Sequence, residues 1–403
     1  MKKNVFELST QQLKEIAEAL QREVEKGLER PNCQIKCLPT YISPKAPQEK
    51  DKAVVLDLGG TNYRVATVDF SEKKAAIHPQ NGWKKDLSVM KTEGFTQDDL
   101  FKELADPILE IKREDEMPIG YCFSYAAESM TDGDGVLLHW TKGVNINEMI
   151  GKPVGKPLLE YLNEKSPKVP FTGIKVINDT VASLFAGYEG EKFDAYIGLI
   201  VGTGTNMATF IHSEKIGKLN EADKNFGAMP INLESGNFCP PHLTSIDNTV
   251  DALSDSRGKQ RFEKAISGMY LGEILKAVFP LEEFEKKFDA ERLTSMISYP
   301  DIYKEDHVQV ANQIYVRSAK LVAASLAGLV KVLIAHNPKV KKVCLTAEGS
   351  LFWSSVRFGR NYKDMCMEEL QNLLNEFGYP DVRVYVEPVE NANLIGTAIA
   401  AIS

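Results

Sequence analysis

Two short glycine-rich turns are the first features of this sequence that could do chemistry. Each lies between two apolar runs, in the stretches DLGGTN (residues 57–62) and VGTGTN (residues 201–206). Glycine has no Cβ, so successive backbone N–H groups can point together at an anion. Either turn alone could be an ordinary hairpin bend, but the pair, with an aspartate opening the first, favours a polyphosphate site. The candidate residues are Asp57, Gly59, Gly60, Thr61, Asn62 and Arg64 in the first turn, and Gly202, Thr203 and Gly204 in the second.

Two aspartates lie at the ends of predicted strands. Asp57 ends a predicted strand at the first turn, where its carboxylate could bind Mg²⁺ directly or through water. Asp179 lies in VINDTVASLF, where a predicted strand leads into a helix, the place where α/β sheets put reactive groups. An alcohol becomes a nucleophile when a base removes its proton, and an aspartate can be that base. The alternative is that Asp179 is only a helix N-cap.

Polar residues suited to a polyhydroxylated ligand occur in three further segments. WTKG (residues 140–143) places Thr141 beside Lys142, whose ammonium could neutralise charge on a transferring phosphoryl group. INLESGNF (residues 231–238) and QRFEK (residues 260–264) contribute Glu234 and Glu263. Carboxylates accept hydrogen bonds, and every sugar hydroxyl has a proton to donate. Taken singly, Lys142 and Glu263 are typical of surface charge, so their assignment depends on the other motifs.

The composition is typical of a folded protein that binds neither nucleic acid nor a membrane. The 403 residues are 43% hydrophobic and 26% charged, and the net charge of −8 comes without an extended basic run. The six cysteines predict reduced thiols rather than a disulfide framework. The N-terminus lacks the apolar core of a signal peptide, and the apolar stretch at residues 321–330 is too short to cross a bilayer. A cytoplasmic location is therefore expected.

Alternating strands and helices must position these residues. The pattern predicts a hairpin around each glycine turn, with strands at residues 53–56, 63–70, 195–201 and 207–212. Further strands are predicted at residues 118–124, 175–177, 342–345 and 383–386. A first helix after Ser9 should end near residues 27–31, and others are predicted at residues 181–188, 261–279, 282–296, 306–336, 365–377 and 393–402. Together these elements predict an α/β protein with mixed sheets.

The motifs taken together resemble the hexokinase family, within the actin, hexokinase and Hsp70 ATPase superfamily. The resemblance covers most of the chain in the family's order, and its most specific segments include LDLGGTNYRV, INDTVASL and RFEKAISGMYLGEIL. It implies an α/β two-domain actin-like ATPase (ribonuclease H-like) fold with mixed central sheets and a deep interdomain cleft. It also implies a small domain of residues 53–180 and 394–403, and a large domain of residues 1–52 and 181–393.

The resemblance implies an ATP-dependent hexokinase that transfers the γ-phosphoryl group of MgATP to the 6-hydroxyl of a hexose, with glucose the expected substrate. Asp179 would be the general base, Lys142 would also be catalytic, and Asp57 and Asp179 would be the Mg²⁺ ligands. The implied sugar-binding residues are Ser124, Thr141, Lys142, Asn178, Asp179, Asn206, Glu234 and Glu263, with Gln260 a weaker candidate. The implied ATP site comprises the two glycine turns together with Gly349 and Ser350.

The sequence departs from the family pattern around the expected sugar pocket. Tyr125 and Ala126 stand where the family has Phe-Pro, His139 replaces Asn, Ser235 replaces Trp, and Glu348 replaces Asp. These changes leave open a preference for another hexose, such as mannose, fructose or glucosamine. The alternatives from other classes are a non-catalytic sugar sensor and a polymerising actin-like ATPase, which the retained Asp179, Lys142 and Glu234 disfavour. We expect a monomer or a homodimer that binds hexose, ATP and Mg²⁺.

Overall fold

The computed structural model describes residues 4–59, 62–71, 75–140, 143–357 and 359–403. The strands within these ranges are β1 (Leu38–Pro39), β2 (Lys52–Leu58), β3 (Asn62–Asp69), β4 (Ala76–Asp86), β5 (Met117–Phe123), β6 (Ala126–Ser129), β7 (Gly135–His139), β8 (Phe171–Ile177), β9 (Ala195–Val201), β10 (Thr205–His212), β11 (Ala228–Asn232), β12 (Lys342–Glu348) and β13 (Arg383–Val386). The helices are α1 (Thr10–Glu29), α2 (Gln97–Leu109), α3 (Lys156–Lys165), α4 (Asp179–Ala186), α5 (Ser245–Leu253), α6 (Arg261–Ile266), α7 (Gly268–Val278), α8 (Ala290–Ser298), α9 (Glu305–His336), α10 (Tyr362–Glu376) and α11 (Ala392–Ile402).

The first glycine turn belongs to a five-stranded sheet with the strand order β4-β3-β2-β5-β8. β2 and β3 pair antiparallel as the predicted hairpin, whereas β5 and β8 extend the sheet in parallel with β2. Val54 and Leu56 of β2 pack into one buried cluster, and Ala53 and Val55 pack into another. Because β2 is covered on both faces, its sequence is a continuous apolar run rather than an alternating one.

The carboxyl ends of the parallel strands β2, β5 and β8 meet at one edge of this sheet. Asp57 lies at the end of β2, Ser124 follows β5, and Asn178 follows β8. The Ser124 N–H donates to the Leu58 carbonyl at 3.1 Å, which ties the ends of β5 and β2 together. Parallel pairing therefore collects three of the predicted site residues from distant parts of the chain.

The second glycine turn belongs to a six-stranded sheet with the order β1-β11-β10-β9-β12-β13. β9 and β10 form the second predicted hairpin, and β12 lies parallel to β9 on its other side. In this register Glu348, the last residue of β12, pairs with Ile200 near the end of β9. The segment that follows β12 therefore emerges beside the Gly202–Gly204 turn.

Helices α4 and α11 pack against each other and connect the two sheets. α4 also contacts β9 and β10, whereas α11 contacts β2 and β5. A Cβ added to Gly396 of α11 would lie 1.8 Å from the Ala182 carbonyl oxygen, and one added to Gly198 of β9 would lie 2.6 Å from the Thr180 carbonyl oxygen. Glycine permits both close approaches to α4, the helix that begins at Asp179. The residue limits predicted for the two domains remain a prediction.

The long helix α9 forms the centre of the larger hydrophobic core. In the part of the chain that the structure describes, it is the one helix long and apolar enough to cross a membrane, but 83% of its most apolar window is buried inside the protein. Helices α1 and α10 pack along it. The apolar stretch at residues 321–330 thus lies in a buried core helix.

Two helix predictions are wrong in their extent. The helix predicted at residues 261–279 is two helices, because Ser267 is extended and separates α6 from α7. This break frees the Gly268 N–H to donate to the Gly202 carbonyl at 2.7 Å. The helix predicted at residues 282–296 begins only at Ala290, where the Asp289 carboxylate caps it by accepting from the N–H groups of Glu291 and Arg292.

The six cysteines are free thiols, as predicted. Cys37, Cys122, Cys344 and Cys366 are buried, and burial raises the pKa of Cys37 and of Cys344 to about 12. Thiols of this kind stay protonated and pack as small apolar side chains.

Candidate active site

Asp179 is the first residue of α4, directly after β8. The helix is capped by its neighbour, because the Asn178 side-chain oxygen accepts from the Thr180 N–H at 2.9 Å. The Asp179 Oδ1 accepts from the same N–H group at 2.8 Å, and the Asp179 side chain is half-buried. The capping role considered for Asp179 therefore belongs mainly to Asn178. The Asp179 carboxylate lies at the edge of the sheet where β2, β5 and β8 end.

The first glycine turn holds a buried ion pair. Asp57 is 5% exposed, and its Oδ2 accepts from the Arg64 Nε at 3.0 Å and from the same guanidinium's Nη2. The two residues face each other across the β2–β3 hairpin, which closes with the Gly59 N–H donating to the Asn62 carbonyl at 3.0 Å. The predicted Gly60 and Thr61 lie outside the described residues. Arg64 thus orients the carboxylate that was predicted to face Mg²⁺.

Glu348 lies within electrostatic range of the first turn and of Asp179. Burial raises the pKa of its carboxyl group, the Arg64 charge lowers it, and the charges of Asp57 and Asp179 raise it further. Asp57 and Asp179 also raise the pKa of the buried Cys122, after the larger effect of burial. Asp57 and Asp179 thus act on the same two neighbours, Glu348 and Cys122. Asp179 therefore lies within electrostatic range of the first turn and of the segment that follows β12.

The carboxylates in this region fit Mg²⁺ only as part of a shared site. No cluster of three or more His, Cys, Asp or Glu side chains capable of holding a metal occurs among the described residues. Mg²⁺ usually takes one or two carboxylates and completes its coordination with substrate phosphates and water. Asp57, which is 5% exposed and paired with Arg64, and Asp179, at the start of α4, are two carboxylates of the kind that this mode uses.

The second glycine turn borders a large cavity. The Gly202 N–H closes the turn on the Gly204 carbonyl at 2.9 Å, and the Met269 N–H of α7 donates to the Thr203 carbonyl at 3.2 Å. A Cβ on Gly202 would come within 3.1 Å of the Gly349 Cα, so the two segments touch. The cavity beside them has a volume of about 1160 Å³, and Gly202, Thr203 and Ser350 line it. Two parts of the predicted ATP site, the second turn and the Gly349–Ser350 segment, are thereby adjacent.

The backbone of Gly349 explains why this position is glycine. Its φ of 107° lies in the left-handed region that side chains rarely adopt. A Cβ there would also lie 2.4 Å from the Val201 carbonyl oxygen. Any larger residue would push the Gly349–Ser350 segment away from the second turn.

Hydrogen bonds hold three of the predicted sugar-binding residues in two groups beside the six-stranded sheet. The Asn206 Nδ2 donates to the Asn232 Oδ1 at 2.8 Å, and the Asn232 Nδ2 donates to the Glu234 Oε1 at 2.9 Å. The Glu263 Oε2 accepts from the Thr205 N–H at 3.0 Å. Asn232 was not predicted, although its place at the end of a strand two residues before Glu234 is a signal that could have found it. These bonds orient the Glu234 and Glu263 carboxylates.

Residues from both sheets line a narrow cleft between them. Asn178 and Tyr125 come from the five-stranded side, and Asn232 and Glu234 come from the six-stranded side. Tyr125, one of the departures from the family pattern, is 5% exposed, and burial raises its pKa to about 12. Its ring packs edge-on against Trp140 with centroids 4.9 Å apart. Tyr125 therefore forms part of the cleft wall beside the segment that carries Thr141 and Lys142, which lie outside the described residues.

Comparison with known proteins assigns this chain to a family. One family model described as hexokinase matches residues 2–188, and a second, also described as hexokinase, matches residues 196–281 and 282–403. The chain belongs to the hexokinase family. The two glycine turns, Asp179, Glu234 and Glu263 all fall within the matched residues.

Named hexokinases from animals and plants align with this chain. Mouse hexokinase-1 is 34% identical over 300 residues, an alignment that covers 70% of this chain but only 30% of the mouse protein. Rice hexokinase-9 is 27% identical over 443 residues, covering 97% of this chain and 86% of the rice protein. The chain thus spans about a third of the length of the mouse relative and most of the length of the rice relative.

Solved hexokinase structures share the fold. The Schistosoma mansoni hexokinase, solved in complex with glucose, superposes with a TM-score of 0.75 at 24% identity, covering 99% of this chain and 97% of that one. A second hexokinase crystal structure gives a TM-score of 0.79 at 23% identity, with the same coverage of both chains. The predicted α/β actin-like ATPase fold with mixed sheets is thereby confirmed.

Proposed function

We propose that the chain is an ATP-dependent hexokinase that transfers the γ-phosphoryl group of MgATP to the 6-hydroxyl of glucose. The observation that carries the proposal is the position of Asp179. It adjoins Asn178, which lines the cleft with Glu234, and it lies within electrostatic range of Glu348, as the Asp57–Arg64 pair does. A sugar held in the cleft and a nucleotide held at the glycine turns would meet at this carboxylate.

The chemistry divides among the residues as follows. Glu234 and Glu263 hold sugar hydroxyls, because hydrogen bonds from Asn232 and from the Thr205 N–H already orient their carboxylates. Asn206 joins them as a sugar-binding residue, and its side-chain amide is oriented by donating to Asn232 and accepting from the Ser235 N–H. Asp179 accepts the proton of the attacking hydroxyl, while Asn178 and Thr180 fix its position.

The phosphate groups are held by backbone N–H groups of the two turns other than those of Gly59 and Gly202, which close the turns on the Asn62 and Gly204 carbonyls. Positioning and charge neutralisation are the main requirements of phosphoryl transfer, so the protein needs no covalent intermediate. When bound, Mg²⁺ would supply positive charge to the phosphates, with Asp57 and Asp179 as the carboxylates that face it. The cavity lined by Gly202, Thr203 and Ser350 would take the rest of the nucleotide.

A second candidate is phosphorylation of a different hexose. Tyr125 is buried in the cleft wall and Ser235 is buried beside Glu234, both at positions where the family pattern has other residues. Specificity is a difference between contacts to competing substrates, and these two side chains change those contacts. A non-catalytic sugar sensor is the third candidate, and turnover itself separates it from the enzyme.

The test is ADP release from MgATP in the presence of glucose, mannose, fructose or glucosamine. The wild-type protein is expected to show hexose-dependent release, with glucose giving the highest kcat/KM. Asp179→Asn should lower kcat at least about a hundredfold and leave glucose affinity nearly unchanged, since a general base contributes about 10²- to 10⁴-fold.

Asp98→Asn is the matched control, because Asp98 is an exposed aspartate in the first turn of α2. It should leave kcat unchanged. Near wild-type turnover of Asp179→Asn would remove the assigned base, glucose binding without ADP release would favour the sensor, and a higher kcat/KM for another hexose would replace glucose as the substrate.

A further inference from the structure

A buried ion pair joins α5 and α6 next to the proposed substrate sites. The Lys264 Nζ donates to the Asp251 Oδ1 at 2.7 Å, and the side chains are 3% and 8% exposed. Two charges this deeply buried require several polar partners to be tolerated. Asp251 has them, because both of its carboxylate oxygens accept from the Gly258 N–H at 3.0 Å and Arg261 approaches at 3.4 Å.

The same pair holds the loop between the two helices. The Lys264 Nζ donates to the Ser256 carbonyl at 2.7 Å, while Asp251 accepts from Gly258, two residues further along. Residues 254–256 of this loop line the cavity assigned to the nucleotide, together with Gly202, Thr203 and Ser350. Each charge of the pair thus fixes one point of a loop that forms a wall of that cavity.

The next residue of α6 contacts the sugar side. Glu263 adjoins Lys264 in sequence, and its Oε2 accepts from the Thr205 N–H in the hairpin that carries the second glycine turn. A Cβ on Gly204 would lie 2.7 Å from the same oxygen, so the carboxylate fits closely against this turn. A shift of the short helix α6 would therefore move Glu263 and the 254–256 loop together.

We propose that Lys264 and Asp251 are positioning residues. Their ion pair holds the 254–256 loop, which lines the nucleotide cavity, and the sugar-facing Glu263 in fixed positions relative to each other. Neither residue contacts the reacting atoms. The pair acts through α6, and its loss weakens the binding of both substrates. The proposal rests on the proposed function, because it takes the 254–256 loop as a nucleotide wall and Glu263 as a sugar ligand.

The test compares the loss of two buried cations. Lys264→Met removes the cation of this pair, and Arg317→Met removes the cation of the neighbouring Arg317–Asp247 pair, whose side chains are 2% and 4% exposed. Arg317 joins α9 to α5 at 2.8 Å and makes a longer contact with α6, at 3.4 Å to the Ala265 carbonyl. None of its described hydrogen bonds reaches the 254–256 loop, which Lys264 holds directly. The two variants should lose stability alike, so differences in binding report positioning.

The expected result for Lys264→Met is a rise of at least about tenfold in KM for glucose and in KM for MgATP, the effect of losing one or two hydrogen bonds at each site. Its kcat should fall less, because Asp179 lies on a different helix. Arg317→Met should leave both KM values within about twofold of wild type. Assays run well below the melting temperature of each variant. If Lys264→Met does not fold, Asp251→Asn, which keeps the shape of the side chain, is expected to raise both KM values in the same direction.

The proposal is overturned if only one KM rises, if neither rises, or if Arg317→Met raises both values equally. Calorimetric titration with glucose and, separately, with a non-hydrolysable ATP analogue gives the same comparison without turnover. Failure of the proposed function would appear differently, as wild-type protein without hexose-dependent ADP release. In that case weaker calorimetric binding of both ligands by Lys264→Met would still support the positioning role.

Discussion

Gly204→Ala tests whether the second glycine turn and Glu263 form one unit. The φ of Gly204 is not in the left-handed region, so alanine fits the backbone there. The new Cβ would lie 2.7 Å from the Glu263 Oε2 and 3.5 Å from its carboxyl carbon. Carbon and oxygen atoms do not pack this closely, so the carboxylate must move, and its bond to the Thr205 N–H is lost or lengthened.

The size of the effect follows from the bond that breaks. A hydrogen bond to a charged group contributes about 1.5–3 kcal/mol, and Thr205 is 7% exposed, so water replaces the bond poorly. Because the displaced carboxylate also leaves the hydroxyl that it is proposed to hold, we expect the KM for glucose to rise roughly 10- to 100-fold. The free energy of unfolding should fall by less than the bond contributes, since replacing glycine by alanine also stabilises by about 0.4–1 kcal/mol through the unfolded chain.

The assay is glucose-dependent ADP release, with Gly173→Ala as the matched control. Gly173 lies in β8, and no atom lies within 4 Å of a Cβ added there, so its KM should stay at the wild-type value. Glu263→Gln and the double variant complete a mutant cycle, and the two effects should be strongly non-additive because both act on one contact. An unchanged KM in Gly204→Ala, or additive effects in the cycle, would refute the reasoning.

Two further predictions concern stability. Burial opposes ionisation of Asp247, but the charge and hydrogen bonds of Arg317 and the hydrogen bonds from Thr244 hold its pKa below the ordinary value. Its stabilising effect is therefore present above the unfolded pKa and lost as pH falls through the folded pKa. Asp247→Asn should lower the free energy of unfolding at pH 7 by about 3–5 kcal/mol, and acidification should then lower that free energy less than it does in the wild type. Urea unfolding at pH 7 and below pH 4 measures both effects. An acid dependence equal to that of the wild type would contradict the prediction. Gly396→Ala should push α11 away from α4 and lower the free energy of unfolding by about 1–3 kcal/mol or more. The melting temperature should fall accordingly, with Gly173→Ala as the control. Equal melting temperatures for the two variants would contradict the close packing of α11 on α4.

Local sequence determined the parts of the site that depend on neighbouring residues. The two glycine turns lie between paired strands as predicted, and Asp179 stands where β8 passes into α4. These features follow from apolar runs, turn residues and strand-to-helix transitions, which are set over a few residues. The family and its fold could likewise be recognised from motif order alone, because the motifs extend through most of the chain.

Only the tertiary structure decided which distant residues meet. Thr205 and Glu263 are 58 residues apart, and Asn206 and Asn232 are 26 apart, yet each pair shares a hydrogen bond. The break between α6 and α7 likewise depends on bonds to the second turn, so helical periodicity missed it. The capping of α4 by Asn178, the burial of Lys264 against Asp251 and the place of Glu348 near Asp57 also escaped prediction. A single sequence gives the residue types but not the packing that excludes water from them. Lys264 would be assigned to the surface from its type alone, and only the tertiary structure shows that it is buried and paired with Asp251.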